Sequence, residues 1–549
     1  MELTGGNLIG GTPSSETDIR FRAADPASGA TLEPEFHEAS AAEVDRALRA
    51  AEQAFRVYGR TTPQHRAVFL RAIADELIAL GPQLLERAHA ETALPMARLE
   101  GERGRTVGQL RLFADYLEEG SWVEARIDTG DAARAPLPKP DLRRMLVPLG
   151  PVAVFGASNF PLAFSVPGGD TASALAAGCT IVFKAHPAHP GTSELAARAI
   201  SRAASRAELP GGVFSLLHGW SHDVGMSIVR HPLTCAVGFT GSLRGGRAIF
   251  DAAAARPEPI PVYAEMGSIN PVFLLPSAAA ERGDAVAQGL ANAITMGVGQ
   301  FCTNPGVVVG IGGEALSRVA EALTEKLAGA DAGVMLYEQL GAGYNRAVER
   351  ARTKEVESLT PASSDMRGPR ARPALLRVGA ARFLADRELQ EEMFGPVSIV
   401  VVANDAADLE RVAEALDGQL TATIHGTPDE LREHSRLVEI LQRKVGRLLF
   451  NGYPTGVEVG HAMQHGGPYP ASSDSRSTSV GTAAITRFAR PVCFQNFPED
   501  SLPAALRSRN ELGIWRLVNG AMTQEDTLIA SPDHATAAPR RSSPSPRER

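Results

Sequence analysis

Short apolar runs that alternate with helical segments are the feature that most constrains the fold of this 549-residue chain. From Pro151 onward, five such runs predict strands: PVAVFG, TIVFK, VFSLLHG, CAVGFTG and PIPVYAEM. Between them, segments such as GTSELAARAISRAASRAEL and SLRGGRAIFDAAAA predict helices. This alternation predicts a parallel sheet with helices on both faces, and such sheets bind ligands at the carboxyl ends of their strands.

A second alternating block runs from about Asn270 to Gly452 and contains PVFLLP, VVVGIG, VSIVVV, LTATIHG and GRLLFNG. The first ~120 residues predict helices joined by short turns, one of which starts at Ser40, where Glu43 completes a capping-box pattern. Two α/β units in tandem leave a cleft in which a cofactor and a substrate could meet.

Composition and charge exclude several classes of protein. The chain is 44% apolar and 21% charged, as is typical of soluble globular proteins. It has no uninterrupted apolar run of about 18 residues, and it begins without a basic or apolar leader, so we expect a cytoplasmic protein with no membrane span. A net charge of -8 argues against a nucleic-acid partner.

The four cysteines, Cys179, Cys235, Cys302 and Cys493, lie far apart in the sequence. They form no CxxC pair and have no histidine at a spacing typical of zinc sites, so we expect neither a disulfide framework nor a metal site. A functional cysteine is therefore expected to be a nucleophile.

Cys302 lies in GVGQFCTNPG, between a helical stretch and the run VVVGIG. A free cysteine is more often a small buried apolar residue than a nucleophile. Here Gly297 and Gly299 permit close approach of the backbone, and a loop position favours a functional role. At its ordinary pKa a thiol is mostly protonated at neutral pH, so the site would have to activate it.

Two polar residues follow predicted strands directly. Glu265 ends PIPVYAEM, where it is either an ordinary strand-end charge or a partly desolvated general base with a raised pKa. Asn159 follows PVAVFG, and asparagine is common in turns, but its amide could also donate a hydrogen bond to a developing oxyanion.

Candidate phosphate-binding residues follow two other runs. Gly241 and Ser242 lie in GFTGSLRGG, where a helix begins, although the full G-x-G-x-x-G spacing is absent. Lys184 ends TIVFK, where a lysine is either solvated or within reach of a ribose or phosphate.

Five motifs occur in a fixed order: SNFP, FTGS, EMGSINP, GQFCTNPG and EEMFGP. Over nearly the whole chain they resemble the aldehyde dehydrogenase superfamily. The stretches KAHPAHPGTSE, FNGYPTGVEVGHAM and HGGPYPASSDSRSTSVG resemble a bacterial subgroup of α-ketoglutaric semialdehyde dehydrogenases and NADP-linked fatty aldehyde dehydrogenases. The resemblance implies an α/β fold with two Rossmann-like parallel-sheet domains and an oligomerisation arm.

The resemblance also implies a mechanism. Cys302 would form a thiohemiacetal whose oxyanion is held by Asn159 and the Cys302 backbone N–H. Loss of hydride to nicotinamide would leave a thioester, and water activated by Glu265 would hydrolyse it to the carboxylic acid.

For the cofactor, the resemblance implies that Glu392 binds the nicotinamide ribose, with Phe394 beside the ring. Lys184 would bind the adenosine ribose, and Gly241 and Ser242 the pyrophosphate. It further assigns Gly225 to the cofactor site, and Phe160, Phe164 and Phe301 to the substrate pocket.

Pro187 departs from the family pattern, because NAD-preferring relatives often carry a glutamate at this position. Without that carboxylate a 2′-phosphate meets no like charge, so NADP is expected, with NAD also possible. His222, near the same region, is more simply an exposed residue.

By the same resemblance, residues 1–127 and 145–266 would form the cofactor-binding domain and 267–470 the catalytic domain. The Pro- and Arg-rich stretch 128–144 would pair with 480–500 in an arm that joins subunits of a homo-oligomer. The Pro-, Ser- and Arg-rich end predicts a disordered tail over 525–549.

Three functions are compatible with these residues. The first is oxidation of α-ketoglutaric semialdehyde, and the second is the same reaction on fatty or other aliphatic aldehydes. A cationic group in the substrate tunnel would separate them, and the sequence alone does not locate one. The third is a cysteine hydrolase or acyltransferase without nicotinamide, which would usually pair the thiol with a histidine.

Overall fold

The computed structural model describes residues 2–361 and 368–527. The described residues divide into two compact units, the larger comprising residues 2–118, 148–361 and 368–490 and the smaller residues 119–147 and 491–527. The predicted tail over 525–549 lies outside the described residues from position 528 onward. Among the helices that are described, none combines the length and the hydropathy needed to cross a membrane.

The helices of the described chain are mostly ten to twenty residues long. The α-helices are α1 (Ala41–Tyr58), α2 (Pro63–Ala79), α3 (Gly81–Thr92), α4 (Met96–Glu119), α5 (Gly169–Ala177), α6 (Pro190–Arg206), α7 (Asp223–Arg230), α8 (Leu243–Ala254), α9 (Pro276–Thr295), α10 (Glu314–Ala328), α11 (Glu338–Arg352), α12 (Ala380–Ala385), α13 (Ala406–Ala415), α14 (Pro428–Glu433) and α15 (Ser435–Gln442). Short 3₁₀ helices span Ser121–Val123, Gly211–Val213, Met296–Gly299, Arg387–Gln390, Thr482–Phe488, Glu499–Ser501 and Ala504–Leu506.

The strands are short, as in most α/β proteins. They are β1 (Asn7–Ile9), β2 (Thr12–Ser14), β3 (Arg20–Ala24), β4 (Thr31–His37), β5 (Arg126–Asp128), β6 (Leu142–Pro148), β7 (Pro151–Phe155), β8 (Thr180–Lys184), β9 (Phe214–Leu217), β10 (Ala236–Thr240), β11 (Val262–Glu265), β12 (Val272–Leu274), β13 (Val307–Ile311), β14 (Gly333–Val334), β15 (Glu357–Ser358), β16 (Arg370–Ala371), β17 (Ala374–Gly379), β18 (Val397–Ala403), β19 (Gln419–His425), β20 (Val445–Phe450), β21 (Ala489–Gln495), β22 (Arg516–Val518) and β23 (Ala521–Thr523).

The first sheet of the larger unit has the order β11-β10-β7-β8-β9-β1-β2. Its five strands β7 to β11 are the five apolar runs predicted after Pro151, and they pair in parallel. The register sets Phe155 opposite both Lys184 and Phe239, and Thr240 opposite Glu265. The prediction of a parallel α/β sheet is confirmed, and the ends of β7, β8, β10 and β11 share one edge.

The second sheet has the order β15-β17-β18-β13-β12-β19-β20 and is parallel except at β15. The five predicted runs of the second block are β12, β13, β18, β19 and β20, whereas β17 was not predicted. Val307 and Val309 pack into the core with α13 and α15, while Val308 packs with α9 and α10. Helices therefore bury both faces of the sheet, which explains why its strands are continuously apolar.

Residues 7–37 correct the prediction that the chain begins with helices, because they form β1 to β4. Strand β1 completes the first sheet at its far edge, where Leu8 pairs with Leu216 of β9. The buried Glu194 carboxylate also accepts hydrogen bonds from the backbone N–H groups of Thr4 and Gly5. These partners lie about 200 positions away, so no local pattern signals the strands.

The smaller unit contains a five-stranded sheet in the order β21-β6-β5-β22-β23. Arg143 on β6 is buried within this unit, where it donates to the carboxylates of Asp141 and Glu499 and to the Leu506 carbonyl. The stretch between β5 and β6 is the predicted Pro- and Arg-rich segment. Its assignment to an oligomerisation arm, like the other domain boundaries, stays a prediction.

The capping box predicted at Ser40 is present, and it does more than start α1. The Glu43 carboxylate accepts hydrogen bonds from the Ser40 N–H (2.8 Å), the Ser14 hydroxyl (2.6 Å) and the Asn7 amide (3.2 Å). Burial acts to raise the pKa of Glu43, but these hydrogen bonds lower it below its ordinary value. One carboxylate thus ties β1 and β2 to the first helix.

Replacing Glu43 by alanine is expected to lower the free energy of unfolding by about 2–3 kcal/mol, because buried donors lose a charged acceptor. The measurement is urea denaturation followed by circular dichroism. Because the folded pKa is depressed, the difference from the wild type should shrink as the pH falls through that pKa. Glu52→Ala on the same helix removes only a partly exposed ion pair and should cost less than about 0.5 kcal/mol. Equal losses in the two variants would contradict this assignment.

Candidate active site

Cys302 lies in the turn between the 3₁₀ helix Met296–Gly299 and β13, as predicted from its neighbours. The Asn270 amide anchors this turn by donating to the carbonyls of Cys302 and Asn304, both at 2.9 Å. Gly299 has a φ of +64°, and a Cβ there would come within 2.3 Å of the Gly395 carbonyl carbon. A side chain at this position would push the loop away, so glycine is required.

Glu265 ends β11 and contacts a segment that the sequence did not connect with it. Residues 471–473 run along β11, where the Met266 N–H donates to the Ala471 carbonyl and the Ser473 N–H to the Ala264 carbonyl. This pairing brings His465 and Ser479 to the end of the strand. The Glu265 carboxylate lies 3.0 Å from His465 Nε2 and accepts a short hydrogen bond from the Ser479 hydroxyl.

His465 also contacts the predicted nucleophile, because its Nε2 lies 3.5 Å from Cys302 Sγ. The imidazole is fully buried, and its backbone is held by the Thr478 hydroxyl and the Ser479 N–H. Sequence analysis missed His465 because 163 positions separate it from Cys302. The available signal was the stretch HGGPYPASSDSRSTSVG, which was recognised only as a point of resemblance.

The pKa values in this cluster differ from the sequence expectation. Burial acts to raise the pKa of Glu265, but the adjacent His465 ring and the hydrogen bonds from His465, Ser479 and Cys302 lower it. Of the two alternatives that the sequence left open for Glu265, the one with a raised pKa is not supported, because the carboxylate is buried together with its donors. Burial and the negative charge of Glu265 raise the pKa of the Cys302 thiol well above its ordinary value.

The cluster can move a proton without water. In the tautomer that carries its hydrogen on Nδ1, the imidazole can accept the thiol proton at Nε2 across the 3.5 Å contact, and the imidazolium that results donates this Nε2–H to the ionised Glu265. Such an arrangement activates a thiol whose own pKa is unfavourable. Ligand atoms of Glu265, His465 and Cys302 also lie within 4.8 Å of one another and are types that Zn²⁺ accepts. The absence of a metal site stays a prediction.

Asn159 is buried at the carboxyl end of β7, next to the Cys302 loop. Its side-chain amide donates to the Gln300 backbone carbonyl at 2.9 Å. Its backbone carbonyl accepts a hydrogen bond from Arg98 Nη2 at 2.7 Å. An amide carries two N–H donors, so this hydrogen bond leaves a second one for a ligand.

The predicted phosphate-binding residues lie along the same edge of the first sheet. Ser242 is the N-cap of α8 and accepts from the Gly245 N–H, while the Gly241 N–H donates to the Glu265 carbonyl. Lys184 ends β8, and its ammonium donates to the Gly219 carbonyl at 2.6 Å. Burial lowers the pKa of Lys184 to about 8, although Glu38 acts in the opposite direction.

The remaining cofactor candidates occupy three places. Pro187 lies in the turn between β8 and α6, and Gly225 lies in α7, where a Cβ would come within 2.9 Å of the Phe155 ring. Glu392 and Phe394 line a small cavity with Ser268. Glu392 as a residue is exposed, but its carboxylate turns towards Gly267, and desolvation there raises its pKa to about 7.

The three predicted pocket residues form one aromatic group beside Cys302. Phe160 contacts both Phe164 and Phe301 edge to face, with ring centroids 5.3 and 5.2 Å apart. All three line a cavity that reaches Cys302. Arg98 and Arg105 of α4 share this cavity and were not predicted, although their spacing of seven residues places both on one face of a helix.

The two parallel-sheet units and the cluster of Cys302, Glu265 and His465 are features of one enzyme family, which comparison with known sequences identifies. A profile of the aldehyde dehydrogenase family matches residues 13–488, and the chain belongs to that family. Its members oxidise an aldehyde to the acid with a nicotinamide dinucleotide, so the chain is an aldehyde dehydrogenase. The hydrolase without nicotinamide is not favoured.

Two relatives are similar over most of their length. The chain is 52% identical to alpha-ketoglutaric semialdehyde dehydrogenase 2 of Azospirillum brasilense, covering 95% of this chain and 99% of the relative. It is 48% identical to the alpha-ketoglutaric semialdehyde dehydrogenase of Acinetobacter baylyi, covering 89% and 93%.

Solved structures share the fold at lower identity. A methylmalonate-semialdehyde dehydrogenase of Oceanimonas doudoroffii superposes with a TM-score of 0.76 at 20% identity, covering 90% of this chain and 98% of that one. A betaine aldehyde dehydrogenase of Staphylococcus aureus in complex with NAD+ superposes with a TM-score of 0.77 at 19% identity, covering 90% of this chain and 97% of that one.

Replacing His465 by glutamine is expected to slow alkylation of Cys302 by iodoacetamide about 10-fold or more at neutral pH, because the thiol loses its proton acceptor. Peptide mapping by mass spectrometry measures each cysteine separately. The exposed Cys493 serves as the control within the same chain, and its rate should not change. An unchanged rate at Cys302 would show that His465 does not activate the thiol.

Proposed function

We propose that this chain oxidises α-ketoglutaric semialdehyde (2,5-dioxopentanoate) to 2-oxoglutarate, with NADP as the preferred cofactor and NAD as a possible one. The observation that carries the proposal is the identity of 52% and 48% with two enzymes of that name over most of the chain. Both values far exceed the 28–32% identity to relatives that carry other substrate names.

Cys302 is the nucleophile in this proposal. His465 accepts the thiol proton, and the thiolate adds to the aldehyde carbon to form a thiohemiacetal. The free N–H of the Asn159 amide and the Cys302 backbone N–H stabilise the oxyanion. A bound nicotinamide would supply the acceptor for the hydride that leaves this carbon.

Glu265 acts on the thioester that remains. Its lowered pKa keeps it ionised at neutral pH, so it can accept a proton from water without first losing one. Hydroxide adds to the thioester carbonyl, the C–S bond breaks, and the acid leaves while Cys302 is restored.

The residues at the edge of the first sheet fit a dinucleotide. Backbone N–H groups at the start of α8, with Gly241 and Ser242, suit a pyrophosphate, because a helix N-terminus attracts anions. Lys184 retains ammonium donors beyond its bond to Gly219, which supports contact with the adenosine ribose. Gly225 packs closely against the Phe155 ring at the same sheet edge, and Glu392 and Phe394 would hold the nicotinamide ribose and ring.

The preference for NADP rests on Pro187. A glutamate at this position would repel a 2′-phosphate, whereas proline carries no charge. Lys184 lies three residues earlier in the same turn region and supplies positive charge. NAD remains a possible cofactor because proline offers the phosphate no hydrogen bond.

We also propose the domain roles and the homo-oligomer that the family resemblance implies. The five-stranded sheet of the smaller unit ends in β21 on one side and β23 on the other. Strand edges of this kind pair readily with a second chain.

A kinetic comparison of substrates and cofactors tests the proposal. With wild-type protein, kcat/KM should be at least about 10-fold higher for 2,5-dioxopentanoate than for a medium-chain aldehyde. An apolar substrate leaves buried polar groups of the pocket without hydrogen-bond partners, which weakens binding in the transition state. The assay follows reduced cofactor by absorbance, with NADP and NAD in parallel, and NADP should give the higher kcat/KM. A strong preference for the aliphatic aldehyde would refute the proposed substrate.

A burst experiment tests the roles of Glu265 and Cys302. Glu265→Gln should release about one equivalent of reduced cofactor per subunit and then slow by about 100-fold or more, because the thioester accumulates without its general base. Cys302→Ala should show neither burst nor turnover while still binding cofactor. Steady turnover by the alanine variant would remove Cys302 from the mechanism.

A further inference from the structure

A cavity of about 550 Å³ opens beside Cys302, and its lining joins aromatic rings to positive charge. Phe160, Phe164 and Phe301 line it together with Arg98, Arg105 and Arg447. An aldehyde that reaches Cys302 through this cavity must therefore pass three guanidinium groups. An apolar tunnel for fatty chains would contain none.

Arg105 is the arginine whose hydrogen-bonding groups are least used. Its guanidinium lies over the Phe164 ring at 5.0 Å, and its Nε makes one long contact, 3.4 Å, to the Val457 carbonyl. Its Nη1 and Nη2 are buried and have no hydrogen-bond partner among the described residues. These two atoms form the pair of parallel donors that a carboxylate accepts in a bidentate fashion.

The other two arginines are more fully engaged. Arg98 lies 4.9 and 5.0 Å from the Phe160 and Phe301 rings, and its Nη2 donates to the Asn159 carbonyl. Arg447 donates through Nη1 and Nη2 to the carbonyls of Gly456 and Pro454. Both add positive charge to the cavity, but neither offers a free pair of terminal donors.

The nearest buried carboxylate does not satisfy Arg105. Glu102 is buried one turn away on α4, and its Oε1 accepts from the backbone N–H groups of Leu162 and Ala163 at 2.8 and 2.9 Å. Glu458, which also lines the cavity, is exposed. The cavity thus holds three arginines against one buried carboxylate, so an anion from outside would restore the balance of charge.

The position of Arg105 limits the length of that anion. The Phe164 ring beneath the guanidinium lies 6.1 Å from the His465 ring, and His465 contacts Cys302 Sγ at 3.5 Å. Arg105 and Cys302 line the same cavity and each acts on the pKa of the other, so the guanidinium and the thiol lie near enough for a short molecule with an aldehyde at one end and an anionic group at the other. A short ω-oxo acid meets this condition, whereas a long aliphatic chain does not.

We infer that Arg105 is the carboxylate-binding residue of the substrate pocket and selects short oxo-acid semialdehydes. The inference rests on the proposed function for the reaction at Cys302. Arg105 binds both carboxylate oxygens through Nη1 and Nη2, and Arg98 adds positive charge. The three phenylalanine rings contact the carbon chain and hold the two guanidinium planes in place.

Burial of the Arg105 guanidinium without partners among the described residues costs stability, and binding of a substrate carboxylate offsets that cost. A buried cation with unpaired donors destabilises the folded protein, and replacing it by an apolar side chain of similar volume often stabilises the protein. Arg105→Met should accordingly unfold at the same or a higher temperature than the wild type. This expectation separates a binding residue from a structural one.

The test compares Arg105→Met and Arg105→Lys with the wild type on 2,5-dioxopentanoate and on pentanal, a neutral aldehyde with the same number of carbons. Arg105→Met should lose about 10- to 100-fold in kcat/KM on the oxo acid, mainly through KM, because two charge-assisted hydrogen bonds disappear. Its kcat/KM for pentanal should be unchanged or higher. Arg105→Lys keeps the charge but not the paired donors, so its kcat/KM on the oxo acid should lie between those of Arg105→Met and the wild type.

Arg111→Met is the matched control, because Arg111 lies on the same helix but is half-exposed and pairs with Asp75. Arg111→Met should leave kcat/KM unchanged for both 2,5-dioxopentanoate and pentanal. Equal losses on both substrates in Arg105→Met, or no loss on either, would overturn the inference.

Inhibition by glutarate distinguishes a failure of this inference from a failure of the proposed function. Glutarate is an unreactive dicarboxylate of the same length, and it should compete with pentanal in the wild type but not in Arg105→Met. If that holds while 2,5-dioxopentanoate proves a poor substrate, the carboxylate site stands and the proposed substrate is wrong. If glutarate inhibits both proteins equally, Arg105 is not the carboxylate-binding residue.

Discussion

The hydrogen-bond ladder between the parallel strands β8, β7, β10 and β11 is the constraint on which the site depends. It sets Phe155 opposite Lys184 and Thr240 opposite Glu265. Because parallel strands all end at one edge, the residues that follow them also meet there. Asn159 and Glu265 thus approach the Cys302 loop, although more than a hundred positions separate Asn159 from Glu265. The chemistry is arranged by strand register before any side chain makes a specific contact.

Buried charge appears in two different states around the nucleophile. Glu265 is buried with its own donors, His465 and Ser479, so its ionised form is stabilised within the protein. Arg105 is buried, and its terminal nitrogens find no partner in the part of the chain that the structure describes. The first arrangement suits a group that must act in every turnover whatever the substrate is. The second suits a group whose partner arrives with the substrate.

Local patterns predicted much of the fold and a good part of the site. The runs that became β12 and β13 are apolar because helices cover both faces of their sheet, and this burial is visible in the sequence. The Ser40 capping box is likewise encoded within four residues. Strands β1 and β2 were missed because their edge position depends on distant partners. The direction of the Glu265 pKa shift could not be predicted, because it depends on His465, which no local pattern identifies as a neighbour.

By itself, the sequence determined the fold class, the family and the order of the motifs that carry Cys302, Glu265 and Asn159. The fold class follows from the alternation of apolar runs with helical segments, and the family from the resemblance of the motifs, neither of which folding changes. Only the tertiary structure decided that His465 contacts Cys302 and that the terminal nitrogens of Arg105 are buried unpaired in the same cavity. Both facts depend on the packing of segments far apart in the chain. The charge and solvation of a side chain are set by its neighbours in space, and the sequence does not name those neighbours.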